Sequence, residues 1–250
     1  MGLSFNNDMK TALPEYVLGT NRFIKIDKML SENVLWKKEA YENLKKLFKE
    51  MIEQEASDMD FGGLRTNGKV WFRIYGDKSP SENLPHYDEN ESIAMIMSIL
   101  SEEQKSYLFK NKNIDFALSC DIEADEPPFR FRGDVFYERN LLAVNFRIIN
   151  QMLFRIKDLG LSEPIIRRLD LHYEKSGLFL ITGIRGSGKS STLDAIIDMN
   201  NHKNNGHIII IGNPIEYIHT SDKCLITHRE IGKDVASFQK GVIDSLRQDP

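Results

Sequence analysis

Eight consecutive residues, Gly183-Ile184-Arg185-Gly186-Ser187-Gly188-Lys189-Ser190, have the residue types and spacing of a phosphate-binding loop, G-x-x-x-x-G-K-[ST]. Each position has a physical task. Gly183, Gly186 and Gly188 leave room for backbone N–H groups to converge on phosphate oxygens. Ser187 belongs to the same loop, and Ser190 and Ser191 open a helix whose positive end faces the phosphates. Lys189 supplies a charge for the β- and γ-phosphates, and the Ser190 hydroxyl is the candidate Mg²⁺ ligand. The chemistry this implies is binding of ATP, or a close relative, with Mg²⁺.

Such a loop works only between a strand and a helix. The apolar stretch 177–182 reads as the strand, 190–199 as the helix, with Leu193, Ile196 and Ile197 at helical spacing, and 207–211 as a second, buried parallel strand without alternation. Together they predict a βαβ unit. Gly160 and Ser162-Glu163-Pro164 mark the break before it.

Upstream the pattern differs. Residues 1–30 carry weak signals. Tyr41, Leu44, Phe48, Met51 and Ile52 predict a helix that ends near Ala56-Ser57-Asp58, followed by a Gly62-Gly63 turn. Residues 69–75 alternate as a strand, 80–89 read as a polar loop, and 92–100 as a helix. Ser101 and Gln104 have the spacing of a capping box, and 114–119, 129–137 and 142–148 read as antiparallel strands. The expected organisation is an extension over 1–45, an α+β domain over 46–155 and a P-loop domain over 156–250. The fold class is therefore α/β, an α+β N-terminal domain followed by a parallel-sheet P-loop domain.

Composition narrows the function classes. A formal net charge of −4 argues against nucleic acid as a partner. The apolar run 208–211 is far too short to span a bilayer, and the polar N-terminus lacks a signal-peptide core. Two distant cysteines, Cys120 and Cys224, predict neither a disulfide scaffold nor a metal site, and the histidines lack ligand spacing. A reducing, cytoplasmic location is expected.

Several further segments carry a family resemblance. Ala56-Ser57-Asp58, Phe129-Arg130-Phe131-Arg132, Asn145-Phe146-Arg147, the loop and helix at 177–192, Pro214-Ile215-Glu216-Tyr217 with His219, His228-Arg229-Glu230 and Leu246-Arg247-Gln248-Asp249-Pro250 follow one another in order. In that order they resemble the type IV pilus retraction (PilT-like) ATPases of the type II/IV secretion ATPase superfamily. The resemblance implies a PAS-like N-terminal domain, a RecA-like motor domain and a homo-hexameric ring at the inner membrane, working on a pilus or secretion platform protein. It also implies that Arg130, Arg132 and Arg147 approach the nucleotide, and that Glu216 acts with Lys189 in catalysis. Three departures stand out. Asp60 replaces an expected histidine, Gly212 and Asn213 replace the first two acids of an acidic box that keeps Glu216, and Ile243 replaces an arginine. The family's Walker B strand and His box would lie past Pro250, so the motor domain is expected to be truncated and the chain a fragment. Three functions are consistent with this reading: a retraction motor, a nucleotide-binding ring subunit with little hydrolysis, or an assembly or export ATPase.

Overall fold

Helix α3 (Val34–Glu53) is built by its apolar stripe: Leu44, Leu47, Phe48 and Met51 are buried, with lysines and glutamates between them. It leads into β1 (Asp58–Gly62), β2 (Trp71–Ile74) and β3 (Asp77–Pro80). Helices α4 (Glu89–Ile99) and α5 (Glu102–Asn111) follow, and then β4 (Asn113–Cys120), β5 (Phe129–Glu138) and β6 (Leu141–Ile148). The six strands form one antiparallel sheet in the order β3-β2-β1-β6-β5-β4. Helices inserted between the two halves of such a sheet fit the PAS-like layout that the resemblance implies. The computed structural model describes residues 2–122, 127–149, 153–174, 176–184 and 187–249, and the chain divides into two units, Met1–Ile149 and Asn150–Pro250.

In the first unit, one sheet face packs on the helices. Phe48 of α3 stacks on Phe131 with centroids 4.1 Å apart and meets Phe146 edge-on at 4.9 Å. Helix α4 is buried along Ile93, Ala94, Met95, Ile96 and Met97, as expected of a helix enclosed on every side. It packs on β6, α3 and a further helix, α2 (Gly19–Glu32). The start of α4 is a capping box: Asp88 Oδ1 accepts from the Glu91 N–H at 3.0 Å, and Glu91 Oε2 accepts from the Asp88 N–H at 2.9 Å. The predicted box at Ser101 and Gln104 opens α5.

The N-terminal segment is part of this core. Leu3, Phe5, Met9, Leu13, Phe23, Ile26 and Leu30, from α1 (Asn6–Ala12), α2 and their flanks, join the same buried cluster. Polar anchors hold them. Leu3 N–H donates to Glu91 Oε1 at 2.7 Å, while Asn6 and Lys10 reach Asp88 Oδ2 at 2.7 and 2.8 Å. Burial pushes the Asp88 carboxyl up, but Lys10, the Glu91 N–H and Asn6 together hold it below its ordinary value. Lys105 of α5, with its side chain almost wholly enclosed, lies 2.6 Å from Asp27 of α2. Burial works against its charge, yet Asp27 and Glu102 raise it above the usual lysine value.

The second unit contains a 3₁₀ turn (Ile156–Leu159), α6 (Glu163–Leu169), α7 (Lys189–Lys203), β7 (Gly206–Gly212), β8 (Cys224–Glu230) and α8 (Phe238–Ser245). Strands β7 and β8 pair in parallel, in register from Gly206 opposite Cys224 to Gly212 opposite Glu230. Two expectations are corrected. Residues 177–182 form no strand: Leu178, Phe179 and Leu180 are 81%, 50% and 76% exposed. A strand exists only with a ladder partner, and among the described residues of this unit the ladder is confined to β7 and β8. The run 208–211 is only half-buried, covered by β8 beside it and by α8, whose Gly241 lies against Ile211. Among the described residues no helix is long and apolar enough to cross a membrane.

Two outcomes follow from the first unit. Gly133 lies directly between Phe116 and Phe146 in the ladder, where a Cβ would stand 2.8–2.9 Å from both rings. Gly133→Ala is expected to cost about 1–3 kcal/mol, read from urea unfolding. For Asp88, a folded-state pKa below the unfolded one means stabilisation that is full above about pH 4 and fades as the pH falls through the folded value. The gap in urea midpoint between the parent chain and Asp88→Asn should therefore be widest near neutrality and close in strong acid; a gap that widens on acidification would contradict this.

Candidate functional site

The phosphate loop ends where α7 begins. Gly188 caps the helix with φ 84°, a conformation that favours glycine, and gives the helix start no side-chain cap. A Cβ at Gly188 would meet no atom within 4 Å among the described residues, so the backbone angle rather than crowding selects glycine there. Gly183 is needed for a different reason: its Cβ would fall 2.5 Å from Ser187 Oγ. Lys189 Nζ donates to the Ile184 carbonyl at 2.8 Å, so its ammonium lies over the loop itself. Ser190 and Ser191 are half-buried in the first turn. Gly186 and Arg185 lie outside the described residues. A helix start without a side-chain cap, one ammonium and two hydroxyls form a donor set that fits a Mg²⁺-bound phosphate chain.

Helix α7 is held from its far end. Asn200, buried, accepts from the Leu171 N–H at 2.8 Å and donates to the Leu169 and Ile196 carbonyls at 3.0 and 2.9 Å. Asn201, also buried, donates to the Thr220 carbonyl and accepts from the Asp222 N–H, at 2.9 and 3.0 Å. Asp170 joins the same network. Burial pushes it up, while the Asn204 amide, the His172 N–H and Lys203 keep it below its ordinary value.

Glu216 sits on the irregular segment between β7 and β8 and is exposed. The segment starts at a cis Asn213–Pro214 bond. Its Ile215 N–H donates to Glu230 Oε2 at 3.3 Å, and its His219 N–H to His228 Nε2 at 3.1 Å, both side chains on β8. Gly212 is a close approach: a Cβ there would lie 2.9 Å from Ile215 Cγ1 and 3.1 Å from Ile215 Cα. An acid at this position would require the segment to shift.

The arginines lie in the first unit, on the sheet face opposite the aromatic core. Arg132 and Arg147 are direct neighbours across β5 and β6, and Arg130, two residues along β5, is buried. Like charges side by side need anions, and carboxylates supply them. Arg132 Nε lies 2.8 Å from Asp115 Oδ1, with a second contact from Nη2. Arg147 Nη2 lies 2.6 Å from Asp58 Oδ1, and Arg73 flanks Asp58 at 3.6 Å. One step along, Asp60 is held by Arg65 at 2.8 Å and Lys78 at 2.5 Å. Asp58 and Asp60 are 3% and 4% exposed, so each buried carboxylate has two cations. The sequence reading missed these acid partners, because they lie 17 and 89 residues from their arginines. It also missed the role of Asp60, which stands where the family has histidine and here serves as a charge anchor.

A family model described as type II/IV secretion system protein matches residues 37–250. The chain belongs to that family. It is 34% identical over 206 residues to the type IV pilus ATPase PilU of Pseudomonas aeruginosa, covering 82% of this chain and 50% of that protein. It is also 34% identical over 169 residues to the type IV pilus retraction ATPase PilT of the same organism, covering 67% and 46%. The crystal structure of the pilus retraction motor PilT with bound ADP superposes with TM-score 0.73 at 32% identity, over 82% of this chain and 57% of that one. The Legionella pneumophila ATPase DotB, with TM-score 0.68 at 22% identity over 83% and 56%, shares the fold. The chain spans about half the length of the curated relatives it matches.

Because α7 is oriented by Asn200, Asn200→Ala should orphan the Leu171 N–H and the Leu169 carbonyl. The expected loss is about 1–3 kcal/mol in the second unit, seen as faster hydrogen exchange at 169–171. Unchanged protection there would mean the amide network does not hold the helix.

Proposed function

We propose that the protein is a P-loop motor ATPase that powers type IV pilus retraction and twitching motility, or a related secretion step. The observation that supports it most is the glycine-capped start of α7, which carries Lys189 and Ser190 and has no side-chain cap. On this reading Gly183, Gly186, Ser187, Gly188, Lys189, Ser190 and Ser191 bind the ATP phosphates through backbone N–H groups, one ammonium and hydroxyls. The Ser190 hydroxyl would hold a Mg²⁺ ion, which would supply charge neutralisation to the phosphate chain. Lys189 must leave the Ile184 carbonyl to meet the γ-phosphate. Glu216, exposed on its tethered segment, orients the attacking water.

Arg130, Arg132 and Arg147 serve as the anion-facing set of the first unit, with guanidiniums suited to bidentate phosphate contact. Arg132 and Arg147 would exchange Asp115 and Asp58 for phosphate oxygens. The working form is a homo-hexameric ring, cytoplasmic and peripheral to the inner membrane, acting on a pilus or secretion platform protein. The domains are a PAS-like unit over 46–155 into whose core the 1–45 segment packs, and a RecA-like unit over 156–250.

A second reading, a nucleotide-binding ring subunit with little hydrolysis, is favoured by one observation. Gly212 and Asn213 replace two acids, and the close approach at Gly212 leaves no room for a side chain.

The test is equilibrium binding of a fluorescent ATP analogue and steady-state phosphate release by the full gene product. Lys189→Ala is expected to weaken binding or turnover by at least ~10-fold. Equal affinity and turnover in that variant would refute nucleotide binding at this loop. Tight binding with no measurable turnover in the parent would favour the second reading.

A further inference from the structure

Against α7, one turn past Ser190, sits a buried histidine that the functional reading does not use. The His219 side chain is 1% exposed, and its Nε2 lies 3.1 Å from Asp194 Oδ1 on α7. Asp194 follows Ser190 by four residues, so the two share one helix face. On its other side, the His219 main-chain N–H donates to His228 Nε2. The Tyr217 ring meets His219 edge-on at 4.6 Å. Burial raises the Tyr217 hydroxyl, and the nearby Asp198 and Asp194 of α7 add to that effect. Ile215, on the opposite side of Glu216, is tied to Glu230.

Glu216 is thus suspended between anchors on a segment with no ladder or helix of its own. Two anchors lead to β8, and the His219 imidazole leads to α7. We infer that His219 is a positioning residue: through Asp194 it fixes Glu216 relative to the Ser190 end of the phosphate-binding helix. Asp194 offers only acceptor oxygens, so the contact is a hydrogen bond from the imidazole N–H to the carboxylate, with the ring itself buried. Removing the ring leaves Glu216 tethered to β8 while α7 keeps its loop, lysine and hydroxyls. Ground-state nucleotide contacts then persist, and the placement of Glu216 is lost. A misplacement of about 1 Å is enough to slow an oriented reaction by ~100-fold.

The inference rests on the reading that Glu216 serves turnover at this loop, and the test separates the two. Steady-state phosphate release and fluorescent ADP affinity are measured on the full gene product. His219→Ala and Asp194→Ala should each lower kcat by ~10-fold or more while ADP affinity stays within ~2-fold, and the double variant should be no slower than the worse single one. His219→Gln, which keeps a donor, should recover part of the rate. In a Glu216→Gln background, His219→Ala should cost less than ~2-fold, because its effect passes through that carboxylate. A merely structural histidine would lower melting temperature and ADP affinity together, and its cost would multiply in the Glu216→Gln background; either result overturns the inference. So does an unchanged kcat in His219→Ala when Glu216→Gln is slow. Undiminished turnover in Glu216→Gln itself would instead overturn the role given to Glu216.

Discussion

The direction in which α7 presents its glycine-capped end is decided at its other end. Asn200 and Asn201 are buried, and a buried amide that lost its partners would cost the full desolvation of each orphaned group. The bonds to Leu169, Leu171, Thr220 and Asp222 are therefore not optional. They clamp the last turns of the helix to the segments before and after it. A rigid rod held firmly at one end has a fixed free end, and here the free end is the phosphate loop. The exposed 177–184 stretch, with no ladder to hold it, contributes little to that aim. The helix carries the loop, and the asparagines carry the helix.

The first unit solves a different electrostatic problem. Two buried aspartates and a cluster of arginines share one sheet face, and neither sign is tolerable there alone. The ladder register sets Asp58 between Arg73 and Arg147, and Arg147 beside Arg132. The result is a row of alternating and doubled charges whose sum depends on every member. Any phosphate that recruits Arg132 or Arg147 must displace a carboxylate already in contact. The affinity of such a site is a difference between two strong interactions, so it responds steeply to small geometric change.

Some of this could be read from residue types and some could not. The phosphate loop was legible because a backbone that turns at φ 84° and packs against Ser187 leaves almost no choice but glycine. The capping box at Ser101 was legible for the same reason: its bonds are local. The box at Asp88 is equally local, but the acids and asparagine around it read as loop, so α4 starts three residues earlier than the apolar pattern predicts. Helices α1 and α2 escaped notice because Phe5, Met9, Phe23 and Ile26 gain their meaning only against a distant α4. The failure at 177–182 runs the other way. Its residues favour a strand, but a strand is a property of two chains side by side. The partners of the arginines were beyond reach too, since register, not sequence distance, brings Asp58 to Arg147.

The N-terminal helices bear on how boundaries are drawn. The family match begins at residue 37, yet Phe5, Met9, Phe23 and Ile26 lie in one continuous core with Leu44, Phe48 and Ile96. Shared ancestry and cooperative folding have therefore drawn different borders through the same unit. What reads in alignment as an appendage is, thermodynamically, a wall of the house. A gene cut at the alignment border would yield a chain whose α4 lost its outer cover, with Asp88 losing Asn6 and Lys10 and Glu91 losing the Leu3 N–H. Such a chain would be sticky and short of stability for reasons unrelated to its catalytic loop, and its silence in an assay would say nothing about the nucleotide.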